Sequence, residues 1–355
     1  MAISSVIQIV IFSNRMNKSY KVTRFSEFNV ELDLETDADV FDFVLKNPNG
    51  IYSGLFSKFD SITLKMNRKT IMKGNVDKIE YIDRDDDDYI QISGRDLCWK
   101  LVDNDALPTT MKNVQPKSYI EKKCKEYGIK CLAKKADIYD KLVIGCDESE
   151  ISIFNNILLN SKQRVWFLID TLYSGDWSMG KNPNHVFVMH TSNTGIPIKS
   201  FRLSEDGTEV KSEVRIYGSK DGSLELVGSS KNSYMNKIGI KKREVTRAYS
   251  DNASSKYKSI ADRNIRNTFR DNTELTIEVR LDKNNVYMPN TTARVINGRC
   301  GVNSTFFIKR VTYTKSVSNG SYATLVMIPA DTTFEKIWQS KGTSVTNTNA
   351  LSKKL

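Results

Sequence analysis

The sequence predicts a mainly β protein with an α+β insert. Aromatic residues make up 10% of the 355 residues, and the 15 tyrosines and 15 phenylalanines favour strands. Period-two alternation of apolar and polar residues dominates the N-terminal part and returns after residue 212. Between these regions the pattern changes to helix followed by strand, which is typical of a small α/β unit. We therefore expect two β-rich regions separated by an insert.

Length and composition indicate a folded chain with several domains. At 355 residues the chain exceeds one compact domain, so we expect two to four. Hydrophobic residues make up 39% and charged residues 27%, and the mean hydropathy is −0.43, which argues against a disordered or membrane-spanning chain. The apolar run at residues 6–12 lacks a basic region and a small-residue cleavage site. We expect no signal peptide, no membrane anchor and folding in a cytosol.

The first β-rich region consists of short strands separated by polar turns. Residues 6–12 form a β-branched run, and residues 28–34 alternate apolar and polar side chains. Strand patterns recur at residues 62–66, 71–79 and 89–94. Such a series predicts an antiparallel barrel or sandwich.

The insert begins after residue 95, where helical spacing replaces alternation. Residues 116–128 predict a helix, because Pro116 suits its first turn and Gly128 its C-terminal cap. Apolar residues at helical spacing predict a second helix at 151–159, followed by a buried strand at 165–170. We expect these elements to form the α/β unit.

Strand patterns resume at residues 214–218. We expect residues 219–255, rich in Ser, Asn, Gly and Lys, to form loops or an irregular ribbon. A basic amphipathic helix is predicted at residues 258–270, followed by a strand at 274–281. Three further strands are predicted at residues 292–296, 306–314 and 322–328, with a turn at Asn319-Gly320. The polar chain after Pro329 is expected to be mobile or ordered by a partner.

Positive charge is concentrated in one stretch of the sequence. The whole chain carries a formal net charge of +11, and residues 231–270 contain eleven Lys or Arg against three Asp or Glu, a surplus of +8. This segment is a candidate surface for a channel, an acidic partner or nucleic acid, and a solvated face or subunit contact explains it equally well. The candidate residues are Lys237, Lys241, Lys242, Arg243, Arg247, Arg263, Arg266 and Arg270.

Histidine, cysteine and aspartate usage argues against a metal site. His185 and His190 stand five apart in one alternating stretch, so they point to opposite faces of a strand and cannot chelate one metal. The acidic run at residues 85–88 lacks the alternate spacing of a calcium loop and predicts a solvated hairpin tip. The cysteines contain no C-x-x-C pair, so we expect reduced thiols rather than a disulfide framework or a zinc site. They are Cys98, Cys124, Cys131, Cys146 and Cys300.

No catalytic motif emerges from the sequence. It contains no nucleophile elbow, Walker loop or dinucleotide fingerprint. Acidic pairs such as Asp103 and Asp105, and the acidic residues within 147–150, have the chemistry for glycoside acid–base catalysis. Such pairs are frequent in a chain with 42 Asp and Glu, so they carry little weight. We predict no catalytic residue, no metal and no cofactor.

Three places along the chain carry a resemblance to a known family. The first is the stretch at residues 92–103, which contains Gly-Arg-Asp-Leu, and the second is the helix 151–159 running into the strand 165–170. The third comprises residues 258–281, Tyr287-Met288-Pro289-Asn290 and residues 304–314. In this order the sequence resembles the baseplate hub family of contractile phage tails. It looks most like the Gram-positive prophage form, a relative of the Mu-type hub and the late-control D proteins. Relatives usually have a glycine after the Pro289 region, where this chain has Asn290.

The resemblance implies a particular architecture. Such hubs resemble a trimer whose subunit repeats a β-barrel, which gives a pseudo-sixfold ring from three chains. Applied to this sequence, residues 1–103 are expected to form the first β-barrel domain and residues 104–205 the α/β insert. Residues 206–330 are expected to form the second β-barrel domain, with a basic loop and helix at 231–271, and residues 331–355 a polar tail.

The resemblance also implies a function and partners. A hub adapts the sixfold tail tube to the threefold spike, and its insert engages wedge or sheath-side neighbours. The implied particle is a contractile phage tail or a phage-tail-like bacteriocin, assembled in the bacterial cytoplasm, and its channel would pass tape measure or DNA. Two alternatives remain open from the sequence. One is a cell-wall hydrolase of the tail tip, and the other is a basic nucleic-acid-binding protein.

Overall fold

A computed structural model describes most of the chain. The described residues are 7–47, 50–83, 88–158, 161, 163–175, 177, 182–220, 223–247, 254–316 and 320–330. Three predicted features fall largely or wholly outside them: the acidic hairpin tip, Asn319 of the predicted turn, and the polar tail 331–355. Within the described part, no helix is long and apolar enough to span a bilayer.

Strands predominate along the described chain. The N-terminal strands are β1 (Ile7–Ser13), β2 (Lys18–Val22), β3 (Glu27–Asp33), β4 (Val40–Lys46), β5 (Ser61–Met66), β6 (Lys69–Ile82) and β7 (Tyr89–Asp96). Next come α1 (Trp99–Val102), β8 (Thr109–Val114), α2 (Pro116–Glu126), β9 (Lys130–Ala133), β10 (Tyr139–Ile144), α3 (Glu150–Leu158), β11 (Arg164–Leu168) and β12 (Thr171–Gly175). The remaining elements are β13 (His185–Met189), β14 (Ile196–Glu205), β15 (Glu213–Lys220), β16 (Ser223–Lys231), α4 (Ser233–Lys237), β17 (Arg243–Arg247), α5 (Ser254–Arg270), β18 (Thr273–Arg280), β19 (Thr291–Asn297), β20 (Val302–Ser316) and β21 (Gly320–Pro329).

Thirteen strands form one sheet, in the order β19-β13-β14-β18-β21-β20-β3-β4-β7-β6-β5-β1-β2. Because β19 also pairs with β20, the six strands from β19 to β20 in this order close into a barrel. The mainly β fold class is thereby confirmed. From β20 to β2 all neighbours are antiparallel, and this ladder stays open at β2 among the described strands. Of the two expected barrels, only the C-terminal one is closed by hydrogen bonds among the described strands.

Alternation along the N-terminal strands places one of their faces in the core. On β3, Phe28, Val30 and Leu32 are almost completely buried, whereas Asn29 between them is exposed. Asp33 departs from the pattern, because it is buried although its spacing assigns it to the polar face. Its Oδ2 accepts a hydrogen bond from Arg310 Nε at 2.7 Å, so the buried carboxylate has a charged partner.

The predicted insert has a hydrophobic core of its own. α2 begins at Pro116, and Gly128 just past its end has φ of +69°, as the helix-stop pattern predicts. The sequence did not reveal β8, β9 and β10. β8 pairs with β10, and β12 lies between β11 and β9. Both helices and the neighbouring strands contribute to the core, which includes Ile120, Cys124, Ile153, Phe154, Ile157, Phe167 and Leu172.

A short turn connects this insert to β6. Ile169, between β11 and β12, has φ of +65°, and its carbonyl accepts a hydrogen bond from Lys73 N at 3.0 Å. The next residue, Asp170, pairs with Lys73 Nζ at 2.8 Å and with Lys130 Nζ at 2.9 Å. These two lysines lower the pKa of Asp170 to about 2, and the hydrogen bond from Lys73 has the largest effect. The turn therefore joins the insert to the N-terminal sheet by a backbone hydrogen bond and the Asp170–Lys73 ion pair, whereas the pair with Lys130 of β9 lies within the insert.

The structure corrects two assignments made from sequence. Residues 185–205, expected within the insert, form β13 and β14 of the closed barrel. Residues 219–255, expected to be loops or an irregular ribbon, contain β16, α4 and β17, and the following helix begins at Ser254. The two differences have different causes. β13 belongs to the barrel because it pairs with β19, which is distant in sequence. The strands of the basic segment have weak side-chain patterns, so their sequence is typical of a loop.

The chain divides into two compact units, each built from separate stretches of sequence. The first comprises Met1–Met179, Thr276–Thr291 and Ile308–Val326, and the second comprises Gly180–Leu275, Thr292–Phe307 and Met327–Leu355.

Candidate partner-binding surface

The basic segment belongs to a small sheet covered by a helix. β15 is the middle strand of this small sheet, with β16 antiparallel to it on one side and β17 parallel to it on the other. α5 packs against one face, where Val214 and Ile216 are buried together with Tyr257, Ala261 and Ile265. The three helix residues are spaced by four, so α5 is amphipathic and uses one face to cover the sheet.

Strand alternation turns the charged residues to the opposite face, which we call the outer face. Because Val214 and Ile216 point toward α5, Glu213 and Arg215 point away from it. The register pairs Glu213 with Arg243 and Arg215 with Val245, so Arg243 and Val245 share the outer face. Arg247, two residues further along β17, lies on it as well.

Glu213 holds two arginines on the outer face. Its Oε1 lies 2.9 Å from Arg215 Nε, and its Oε2 lies 2.7 Å from Arg243 Nε. Hydrogen bonds from Arg243 and then Arg215 lower the pKa of the Glu213 carboxyl. The carboxylate is mostly covered, whereas the Arg243 side chain keeps 55% of its surface exposed. The arrangement fixes Arg243 without removing its charge from solvent.

The structure does not bring the eight predicted basic residues into one patch. The exposed members are Lys237, Lys241, Lys242, Arg243, Arg247 and Arg266. Arg243 and Arg247 lie on β17, whereas Arg263 and Arg266 lie on α5, which covers the other face of the small sheet. Arg270 is buried and pairs with Asp271 at 2.8 Å. Basic residues that are close together in the sequence therefore lie on several different surfaces of the fold.

Exposed apolar side chains accompany the arginines, and sequence reasoning missed them. Val245 is 61% exposed, and Leu226 of β16 is 50% exposed. The register pairs Leu226 with Tyr217, whose spacing from Arg215 places both on the outer face. The alternation of residues 243–247 was the available signal, but the segment is short and rich in charge, so it did not stand out from a loop. The outer face therefore combines positive charge with exposed aliphatic side chains.

An apolar pocket lies beside α4. Asn232 caps the N-terminus of this helix, because its side chain accepts a hydrogen bond from Met235 N at 3.2 Å. The pocket has a volume of about 280 Å³, which suits one or two large apolar side chains. Lys242 lines it too, and its amine donates to the Gly207 carbonyl at 2.9 Å. The apolar lining residues are Val210, Tyr234, Met235, Ile238 and Ile240.

The Gly-Arg-Asp stretch at the end of β7 has a structural explanation. A side chain at Gly94 would approach the Asn75 carbonyl oxygen to 2.1 Å, so only glycine fits. Arg95 donates two hydrogen bonds to Asp103, at 2.8 and 2.7 Å, and one to Asp77 at 2.7 Å. Asp96 accepts from Cys98 N at 2.9 Å and orders the turn into α1. This motif ends β7, the last strand of the N-terminal region, and leads into the insert.

The carboxylates considered for catalysis make structural contacts. Hydrogen bonding from Arg95 lowers the pKa of Asp103, which keeps this carboxyl ionised. Glu150 is buried at the start of α3, and its Oε1 lies 2.8 Å from Lys123 Nζ. Asp105 forms an isolated β-bridge with Ser149.

Histidines and cysteines are dispersed in the structure. His185 begins β13, whereas His190 follows this strand with φ of +51°. The five cysteines are free thiols, of which Cys98 and Cys124 are buried. Among the described residues, no group of three or more His, Cys, Asp or Glu side chains could hold a metal ion.

Solved structures with the same fold include bacterial and prophage tail proteins. A tail protein from Neisseria meningitidis MC58 matches with a TM-score of 0.75 and 18% identity, over 94% of this chain and 98% of the other. The 43 kDa tail protein of prophage MuSo2 from Shewanella oneidensis matches with a TM-score of 0.74 and 15% identity, over 92% and 98%. This chain has a phage tail-protein fold. No protein-family model and no curated protein matches the sequence.

The tail-protein fold extends to a secretion system. An Escherichia coli component of the type VI secretion system, described as structurally similar to bacteriophage T4 tail proteins, matches with a TM-score of 0.57 and 10% identity. The match covers 86% of this chain and 73% of that protein. The tail-protein fold therefore accommodates wide sequence divergence, because burial patterns and strand order constrain it more than residue identities do.

Proposed function

We propose that the protein is a structural, non-enzymatic component of a contractile tail. In this proposal it forms the homotrimeric baseplate hub that adapts the sixfold tail tube to the threefold spike. The observation that carries the proposal is the fold match to two tail proteins, one of them from a prophage, over 92–94% of this chain and 98% of theirs. A match along the whole chain supports a shared architecture, whereas a match to one domain would support only a shared module.

The trimer is what the resemblance to baseplate hubs implies, and the presence of two β-rich regions in one chain supports it. Three chains with two related regions each present six similar surfaces, which suits a sixfold tube. β3 in the first region and β18 in the second both alternate buried and exposed residues, as half-buried strands of related regions should. In the proposed assembly, residues 1–103 and the closed barrel of β13, β14 and β18 to β21 supply the two β-rich regions of the ring, and the α/β unit within residues 104–175 is the outward insert.

The proposed partners are the tail tube protein, the central spike and the baseplate wedge, in a virion or a phage-tail-like bacteriocin. The described resemblance of the type VI secretion component to T4 tail proteins supports a place in the central part of a tail. The exposed basic residues, Arg243 and Arg247 among them, would then face a partner or the channel through which tape measure or DNA passes.

The oligomeric state of the purified full chain tests the proposal. Light scattering and electron microscopy are expected to show a ring of three chains with a central channel, alone or after addition of the tube and spike proteins from the same tail. A strict monomer in the presence of both partners contradicts the hub. Release of soluble fragments from purified cell walls at catalytic turnover would contradict the non-enzymatic role and favour a hydrolase.

A further inference from the structure

β17 is an edge strand of the small sheet. Among the described strands it pairs only with β15, so its second row of backbone N–H and C=O groups has no strand opposite it. Such an edge accepts a further strand by continuing the hydrogen-bond ladder. The side chains on this edge determine which strand it can accept.

The side chains of β17 select the charge of an added strand. Arg243, Val245 and Arg247 lie in a row on the outer face, two residues apart. A strand paired with β17 would place its own side chains opposite these three on the same face. Glutamate or aspartate opposite each arginine, with an apolar residue opposite Val245, satisfies all three positions.

We propose that the edge of β17 docks an extended acidic segment of a partner protein, in which acidic and apolar residues alternate at every second position and so share one face of the strand. This proposal refines the partner-facing role of the basic segment and rests on the hub proposal only for the biological setting. Charge complementarity identifies the occupant. Glu213 already holds Arg243 in place at 2.7 Å, so part of the ordering cost of that arginine is met before a partner arrives.

Two other occupants fit the edge less well. A second copy pairing β17 with β17 would bring arginines of both chains together, and like charges on paired strands destabilise the pair. Nucleic acid is bound through stacking aromatic side chains beside the positive charge. Among the described residues of the three strands, Tyr217 is the one aromatic side chain on the outer face, whereas Val245 and the leucines of β16 are exposed aliphatic side chains, so this face suits a protein partner better.

A peptide-binding experiment on the purified full chain tests the proposal. The probe is a short fluorescent peptide with the repeat Glu-Ser-Leu-Ser, which places Glu and Leu in turn on one face of a strand. Its anisotropy is measured at low and high salt, and we expect saturable binding that weakens as salt rises. The double variant Arg243→Glu/Arg247→Glu should weaken binding by about tenfold or more, because two exposed ion pairs become repulsive. The same peptide with Lys in place of Glu should bind this double variant instead.

Matched controls separate the edge from general basicity. Lys112→Glu/Lys141→Glu reverses two exposed lysines paired across β8 and β10, and it should leave binding unchanged. Arg247→Glu alone leaves the contact of Arg243 with Glu213 intact, so it tests the edge even if the double variant unfolds. Methylating alternate backbone nitrogens of the peptide keeps its charge but removes ladder hydrogen bonds, and it should abolish binding.

Several outcomes would overturn the proposal. Equal binding by the N-methylated peptide would show attraction of charge without strand addition. If the Arg247→Glu variant and the double variant both bind the peptide as tightly as the unaltered chain, the site lies elsewhere. Displacement of the peptide by duplex DNA at lower concentration than by unlabelled peptide would favour nucleic acid. The assay needs no assembled tail, so absence of peptide binding would leave the hub proposal intact. Conversely, a chain that is monomeric in solution can still bind the peptide.

Discussion

Three aspartates meet in the interior of the N-terminal region. Asp39 Oδ1 accepts from Asp33 N at 2.7 Å, and the Asp39 carbonyl accepts from Asp96 N at 2.9 Å. All three side chains are buried, and within the described part of the chain only Asp33 has an arginine partner. Burial raises the pKa of Asp96 to about 7, and burial together with the charge of Asp96 raises the pKa of Asp39. At neutral pH this cluster therefore costs stability.

The sign of the resulting pH dependence follows from proton binding. Because the pKa of Asp96 is higher in the folded chain than in the unfolded chain, the folded state binds more protons between about pH 4 and pH 7. Stability from this residue is therefore present at low pH and lost as pH rises through 7. We expect Asp96→Asn to raise the melting temperature at pH 8 and to flatten its fall between pH 5 and pH 8. The expected gain at pH 8 is on the order of a few kcal/mol.

The substitution preserves the local hydrogen bond. An asparagine oxygen can still accept from Cys98 N, and its amide takes the place of Asp96 Oδ2, which has no hydrogen-bond partner among the described residues. Asp140→Asn, at an exposed position of β10, serves as the control and should leave the profile unchanged. An unaltered slope in Asp96→Asn would mean that other groups set the pH dependence.

At the scale of single elements, strand register determines which substitutions the sheet tolerates. Val30 of β3 and Ile277 of β18 are completely buried, and both belong to strands that alternate. A slip of one residue would exchange the apolar and polar faces, so each register is strongly fixed.

We expect Val30→Asp and Ile277→Asp each to destabilise the fold by on the order of several kcal/mol, because each buries an unpaired carboxylate. Both variants should also fail to form rings. The neighbouring substitutions Glu31→Lys and Glu278→Lys change charge on the less buried face and should leave folding intact. Denaturant titration and light scattering measure both effects. Normal folding and assembly of the aspartate variants would contradict the register and the core assignment.

At the scale of the whole molecule, the turn at Ile169 and Asp170 attaches the insert to the N-terminal sheet. We expect Asp170→Ala to loosen this attachment, because it removes the ion pair with Lys73 of β6, together with the pair to Lys130 inside the insert, and leaves the insert core intact. Hydrogen exchange should rise at Lys73 and Ile169, with the core of α2 and α3 unchanged. The loss of global stability should be about 1–2 kcal/mol, since both lysines are partly exposed. Glu121→Ala, which removes a 3.7 Å ion pair on α2, is the control.

Faster exchange throughout the insert would contradict this assignment. It would show that Asp170 supports the insert core itself rather than its attachment. Unchanged exchange at Lys73 would show that the strained backbone of Ile169 alone maintains the connection.

Local sequence signals determined much of the fold. Alternation located β3 and β18, because a strand with one buried face must repeat every two residues. Pro116 and Gly128 marked the limits of α2 through backbone geometry that acts within a few residues. The mainly β class, the helix–strand insert and the basic segment were also predictable, since each depends on composition or on neighbours in the chain.

Tertiary structure alone decided the rest, because the deciding partners are distant in sequence. β17 is a strand only through its ladder with β15, and the aliphatic exposure of Val245 follows from the side that α5 covers. Asp33 is buried against its own pattern because Arg310 supplies a countercharge from β20. The eight basic residues separate because a sheet and a helix turn them in different directions. Local periodicity indicates which face of an element is apolar, but packing and long-range pairing determine what that face meets.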